Sequence, residues 1–278
     1  MMLCALCSPL TQAASDASIA GMVLDVQGGA QLLENGNTGA LKLLAYLKPN
    51  MQIKLAAGSK ASVTLYANRS VYQLSGPALV EISKEQIKVL QGESPKIKAM
   101  PEKLAIAAQA NNDMPGAYRM RAIAPQVQLL KPQDRSVLFD TQPEFCWEAA
   151  EAPAATNYTF SLQTVENRVI AQGDTTSICW RLPEGRALNF GQSYRWSVSY
   201  LSVPDNKRYQ AEAKFSLPSQ SEFDYVTTLR PVESAPIEDW VMYANMLQNK
   251  QMREAARLSW KFIFERRPDL QKAQDLAK

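Results

Sequence analysis

Cys146 and Cys179 are the residues of this sequence whose type and setting carry the most specific chemistry. Phe145 and Trp147 flank the first, Ile178 and Trp180 the second, so in extended chain the apolar neighbours turn inward and both thiols project outward. The other two cysteines, Cys4 and Cys7, form a CxxC within an apolar opening segment, and that spacing without partner ligands makes neither a metal nor a redox motif. The sequence contains no histidine. Ser-His-Asp and Cys-His nucleophile systems and His-ligated zinc are therefore excluded.

The remaining chemistry-bearing residues read as structure. Glu144 and Glu148 flank Phe145 to Trp147 and share a strand face at roughly 13 Å, too far apart for a glycosidase pair, so both are expected to be solvated carboxylates. Trp147, Trp180 and Trp196 could form a sugar-stacking platform, but their alternation with Phe145, Ile178, Leu182 and Val198 directs them into a core. Arg253, Arg257, Arg266 and Arg267 fit a solvated helix face better than a site for an acidic partner. No Ser-x-x-Lys, glycine-rich phosphate loop or acidic calcium loop occurs. No catalytic residue, cofactor or metal ligand is assigned from the sequence.

The elements that must position these residues are mostly strands. Apolar residues make up 46% of the 278, enough for more than one packed core, and the net charge of +3 is spread along the chain rather than gathered into a nucleic-acid footprint. Residues 18–95 alternate with period two, as in Ala61, Val63 and Leu65 against Ser62, Thr64 and Tyr66. Turn signals at Asn35-Gly36-Asn37, Lys48-Pro49-Asn50, Ala57-Gly58-Ser59 and Ala67-Asn68-Arg69 punctuate them, which predicts an all-β antiparallel domain. Several of these stretches resemble FecR-type domains. Gly21-Met22-Val23 with Val26-Gln27-Gly28-Gly29-Ala30 is similar to their opening strand, and Leu47 to Ile53 to their L-x-x-G-x-x-I element, with Asn50 in the glycine place. Gly58 to Leu65 is similar to G-S-x-A-x-L-x-L, and Tyr72 to Pro77 to Y-x-L-x-G-P. The resemblance implies a β domain of the bacterial envelope. The transmembrane signalling of that family's membrane regulators is not carried over, since the sequence shows neither their cytoplasmic arm nor their membrane helix.

Residues 96–125, punctuated by prolines, are expected to be a linker. From 126 to 218, short strands such as Pro143 to Trp147, Tyr158 to Leu162, Ser177 to Leu182, Tyr194 to Val198 and Tyr209 to Leu217 reach the count of an immunoglobulin-like sandwich. Pro183-Glu184-Gly185 leading to Tyr194-Arg195-Trp196 resembles the corresponding stretch of fibronectin type III-like domains. In that strand order the segments carrying Cys146 and Cys179 are neighbours, and a disulfide between them is expected on export. After a second linker at 219–236, residues 237–278 switch to helical periodicity. Trp240, Ala244 and Leu247 share one helix face and Ala256, Trp260 and Ile263 another, resembling one tetratricopeptide hairpin. Trp240 and Trp260 offer more apolar surface than two short helices can hide, so the hairpin needs a neighbour, either the sandwich or another protein, and the two tryptophans are the candidate docking residues.

Residues 1–14 read as the apolar part and cleavage region of a secretory signal peptide, with small residues at Ala13 and Ala14. No later segment approaches the ~20 apolar residues that cross a bilayer as a helix. The fold class expected is mainly β: a FecR-like β domain, an immunoglobulin or fibronectin type III-like sandwich and a short α-helical hairpin. The function expected is that of a non-catalytic, periplasmic or otherwise exported envelope protein that binds or scaffolds a protein or cell-wall ligand, with no nucleic acid as partner. The alternatives are a soluble sensory subunit related to FecR regulators and a carboxylate-only enzyme acting on cell-wall glycan.

Overall fold

The structure, a computed structural model, describes residues 19–100, 127–149, 156–202 and 206–277. The segment expected to be a signal peptide, with Cys4 and Cys7, and the expected linker beyond Met100 lie outside the described residues. The chain divides into two compact units, Met1–Met100 and Pro101–Lys278.

The first unit is all-β, as the alternation predicts. Ten strands run in order: β1 (Gly21–Gln27), β2 (Ala30–Glu34), β3 (Asn37–Ala40), β4 (Tyr46–Leu47), β5 (Gln52–Leu55), β6 (Lys60–Leu65), β7 (Ser70–Ser75), β8 (Ala78–Ile82), β9 (Ile87–Gln91) and β10 (Lys96–Ala99). They form two five-stranded sheets, ordered β10-β7-β6-β1-β4 and β3-β2-β5-β8-β9, with every pairing antiparallel. Val23, Val63 and Leu65 from the first sheet and Ile53, Val80 and Ile82 from the second share one core. Asn35 and Gly36 both adopt positive φ, 49° and 82°, between paired residues Glu34 and Asn37, the geometry of a tight hairpin turn of twist-matched hand. β10 pairs with β7 from Lys96 to Ala99, so this unit extends past the expected boundary at 95 and the expected linker begins later. At Gly76 a Cβ would lie 1.9 Å from the Ala56 carbonyl oxygen, which explains the glycine by close backbone approach.

The second unit is a two-sheet sandwich followed by helices. Its strands are β11 (Val127–Lys131), β12 (Ser136–Val137), β13 (Glu144–Ala149), β14 (Tyr158–Thr164), β15 (Val169–Thr175), β16 (Cys179–Arg181), β17 (Ser193–Ser202) and β18 (Lys207–Ser216). One sheet is ordered β11-β13-β16, the other β12-β18-β17-β14-β15, with β12 parallel to β18. This is the two-sheet division of an immunoglobulin-type sandwich. Phe145 and Trp147 on β13 face Phe160 and Leu162 on β14, Trp196 on β17 and Phe215 on β18 across the shared core. The three tryptophans therefore differ only in degree: Trp147 and Trp196 are fully buried, and Trp180 packs on the core half-buried. Ile178 departs from the expected inward orientation. It lies in the bend before β16 and is 54% exposed, because β16 is only three residues long and the alternation does not extend back to it.

Four helices close this unit among the described residues: α1 (Gln220–Leu229), α2 (Ile237–Asn249), α3 (Arg253–Arg266) and α4 (Gln271–Leu276). The segment expected as the second linker thus contains α1. The Ser219 hydroxyl caps it by accepting from Glu222 N at 3.2 Å, a Ser-x-x-Glu start signal that precedes Phe223, Val226 and Leu229 at helical spacing. Phe223 packs against Phe139 and Phe190 of the sandwich at centroid distances of 5.4 and 4.8 Å. The α2–α3 turn is tied in the same way, with Val137 N donating to the Gln251 carbonyl at 2.9 Å. No helix is long and apolar enough to cross a membrane among the described residues.

Two substitutions check this account by chemical denaturation. Phe145→Ala removes a side chain with no solvent exposure from between the two sheets and should cost about 3–5 kcal/mol. Gly76→Ala should destabilise the first unit and leave the sandwich transition unchanged.

Candidate functional site

The outer face of the three-stranded sheet gathers the chemistry-bearing side chains. Because Phe145 and Trp147 turn inward, Glu144, Cys146 and Glu148 turn to the opposite face of β13. Cys146 pairs in register with Cys179 on β16, and Trp147 N donates to the Ile178 carbonyl, so the two cysteines occupy a non-hydrogen-bonded site where strands approach closely. Their Cα atoms are 4.1 Å apart, and the sulfurs are joined at 2.09 Å. The expected disulfide partners are therefore brought together, and the bond lies within one sheet rather than across the core. Cys146 is nearly covered at 5% exposure, while Cys179 is half-buried.

Glu144 is not the solitary solvated carboxylate that the sequence suggests. Arg181 lies directly opposite it on β16 and donates from Nε at 3.0 Å, while Lys131 on β11 donates from Nζ at 2.5 Å. Lys131, then Arg181, hold the Glu144 carboxyl below the usual carboxylate range by these hydrogen bonds. A folded value lowered in this way gives a contribution that is present above the unfolded carboxylate value and lost as pH falls through the folded one. An acid held ionised by two cations is poorly suited to donate a proton near neutrality. Glu148 stands exposed opposite Gln128, away from this cluster. Sequence reasoning had no means of finding Lys131 and Arg181, since only the pairing of β11 and β16 with β13 brings them to Glu144.

The expected docking residues are placed differently from the expectation. Trp240 and Trp260 are 3% and 1% exposed, inside the chain's own packing. Trp240 meets Phe262 at a centroid distance of 4.1 Å and Tyr243 at 6.2 Å, with the Arg230 guanidinium over its ring, and Trp260 donates from Nε1 to Gln248 at 3.3 Å. Cover beyond the two helices comes from α4, which packs on α3, and from Arg230 over the Trp240 ring. The tryptophans are core residues, so a partner would have to engage other groups. Arg253 is one of them, at the start of α3. It lines a polar cleft of about 510 Å3 with Gln128, Leu129, Gln133, Asp134 and Arg135, where the helices meet the sandwich. Its guanidinium reaches Gln133 Oε1 at 3.4 Å and Gln251 Oε1 at 3.1 Å.

No protein-family model matches the sequence, and no curated protein matches it.

Replacing Cys179 with serine should lower the stability of the second unit by about 2–4 kcal/mol, the range for opening a loop of this size. Trp260→Ala should cost about 3–5 kcal/mol as a core truncation. Both are read from urea unfolding followed by tryptophan fluorescence, and a Trp260→Ala protein of unchanged stability would contradict its assignment to the core.

Proposed function

We propose that the protein is a non-catalytic, exported component of the bacterial envelope that works as a binding or scaffolding module. The observation that carries this reading is the polar cleft between sandwich and helices, which offers hydrogen-bonding side chains of both signs from β11, the turn after it and the start of α3. Asp134 is fixed there by accepting from Lys214 N at 3.0 Å, and the neighbouring Arg135 N donates to the Lys214 carbonyl at 2.7 Å, so the loop that shapes the cleft is pinned to β18. Gln128, Gln133, Arg135 and Arg253 then present donors suited to a polar or acidic segment of a protein or to a cell-wall fragment. Export is supported by the disulfide, which belongs to an oxidising compartment. The FecR-like reading of the first unit is supported by its turn and strand motifs, and the fibronectin type III-like reading of the second by its strand order.

The test is site-specific photo-crosslinking from Gln128 in intact cells, compared between the native cleft and an Arg135→Glu/Arg253→Glu double variant. The expected outcome is one discrete adduct in the envelope fraction, lost on charge reversal while thermal stability is kept. An adduct that survives the reversal, or protein found in the cytoplasm with Met1 intact, would contradict the proposal. Turnover of purified wall fragments would favour an enzyme instead.

A further inference from the structure

The cluster on the outer sheet face holds more than a structural bridge requires. A disulfide joining β13 to β16 needs only its two cysteines, yet a carboxylate stands beside them. One donor atom each from Glu144, Cys146 and Cys179 lies within 4.8 Å of the others. We propose that reduction of this disulfide converts the face into a binding site for a soft or borderline divalent cation such as Zn2+ or Cd2+. Cys146 and Cys179 would serve as thiolate ligands and Glu144 as the carboxylate ligand.

The donor set fits that ion class. Two thiolates with one carboxylate, leaving a fourth position to water, is a three-ligand open site of the kind zinc accepts, and thiolates select it over magnesium or calcium. Placement favours it too. Cys146 is held by β13 between core residues Phe145 and Trp147, so its direction is fixed independently of the bridge. Cys179 lies on a three-residue edge strand, which can yield by the small separation that two metal-bound sulfurs need. Glu144 reaches the ion by exchanging its present partners. The side chains of Lys131 and Arg181 are 52% and 75% exposed, so both can withdraw into solvent, where their repulsion of the ion is screened.

The chemistry balances in two steps. A dithiol attacks the Cys146–Cys179 bond, supplies two electrons and leaves as its own disulfide, giving two protein thiols. The divalent ion then displaces the two thiol protons to solvent and forms two metal–sulfur bonds, while the Glu144 oxygen replaces its hydrogen bonds with the ion. Oxidation and metal binding are mutually exclusive on these residues. The inference stands on the outer sheet face alone and is independent of the cleft and of the function proposed above.

Cd2+ titration tests it, followed by the ultraviolet thiolate-to-cadmium charge-transfer band. The full chain carries Cys4→Ser and Cys7→Ser, so that the CxxC contributes no band. The reduced protein should bind one Cd2+ per chain and the oxidised protein none. Adding Cys179→Ser should abolish the band, Glu144→Gln should weaken binding at least tenfold, and Arg181→Gln should strengthen it by freeing the carboxylate. Should reduction unfold the second unit, Cd2+ should restore its near-ultraviolet dichroism. A reduced protein that shows no band, or that stays unfolded with Cd2+, overturns the proposal. Equal affinity in Glu144→Gln overturns the assignment of the carboxylate.

Discussion

The second unit depends on one packing constraint, the insertion of Phe145 between the two sheets. Its ring lies 5.1 Å from Phe160, 5.4 Å from Trp196 and 5.8 Å from Phe215, so a single residue of the three-stranded sheet touches three strands of the opposite one. Aromatic contacts of this kind add about 0.5–1.5 kcal/mol each beyond the burial of the rings. A one-residue slip of β13 would turn Phe145 and Trp147 to solvent and carry Glu144 and Cys146 into the core. The apolar core therefore fixes the register, and the register assembles the polar face behind it. Sequence, packing and site are linked at this strand.

The disulfide acts back on the core. β16 is a short edge strand, and the bond at Cys179 holds Trp180 over Phe160, stacked at 5.0 Å. The Trp180 ring also lies so close to Gly173 that a Cβ there would stand 2.6 Å from Cη2, which explains why β15 has a glycine at that point. Glu144 reinforces the same strand by bridging Arg181 on β16 and Lys131 on β11. Exposed ion pairs contribute little individually, so the covalent bond and the tryptophan stack do most of the holding.

Much of this architecture was legible in the sequence because period-two alternation and turn residues are local signals. Ala61, Val63 and Leu65 enter one core as their spacing implies, and Ala244, Leu247, Ala256 and Ile263 enter another. Cys146 and Cys179 were legible as partners because Phe145 and Trp147 fixed the direction of the first. What escaped was non-local or masked by composition. The ligation of Glu144 by Lys131 and Arg181 needs two strand pairings to be known. β15 (Val169–Thr175) carries Gln172, Gly173 and Asp174, which hide its strand character. α1 was hidden by Ser, Thr and Asp residues, although its Ser219 cap and the spacing of Phe223, Val226 and Leu229 were present to be read. The burial of Trp240 and Trp260 rests on contacts from both helices of the hairpin and from Arg230, which helical spacing alone does not pair. The first eighteen residues and most of the first linker lie outside the described residues.

The register of β13 against β16 is the central claim, and the state of Cys146 and Cys179 tests it most directly. Protein recovered from the envelope fraction, alkylated before digestion and mapped without reduction, should yield one linked fragment containing Cys146 and Cys179. Alkylated thiols at both positions, or either cysteine linked to a second chain, would contradict the register and with it the assembly of the outer face.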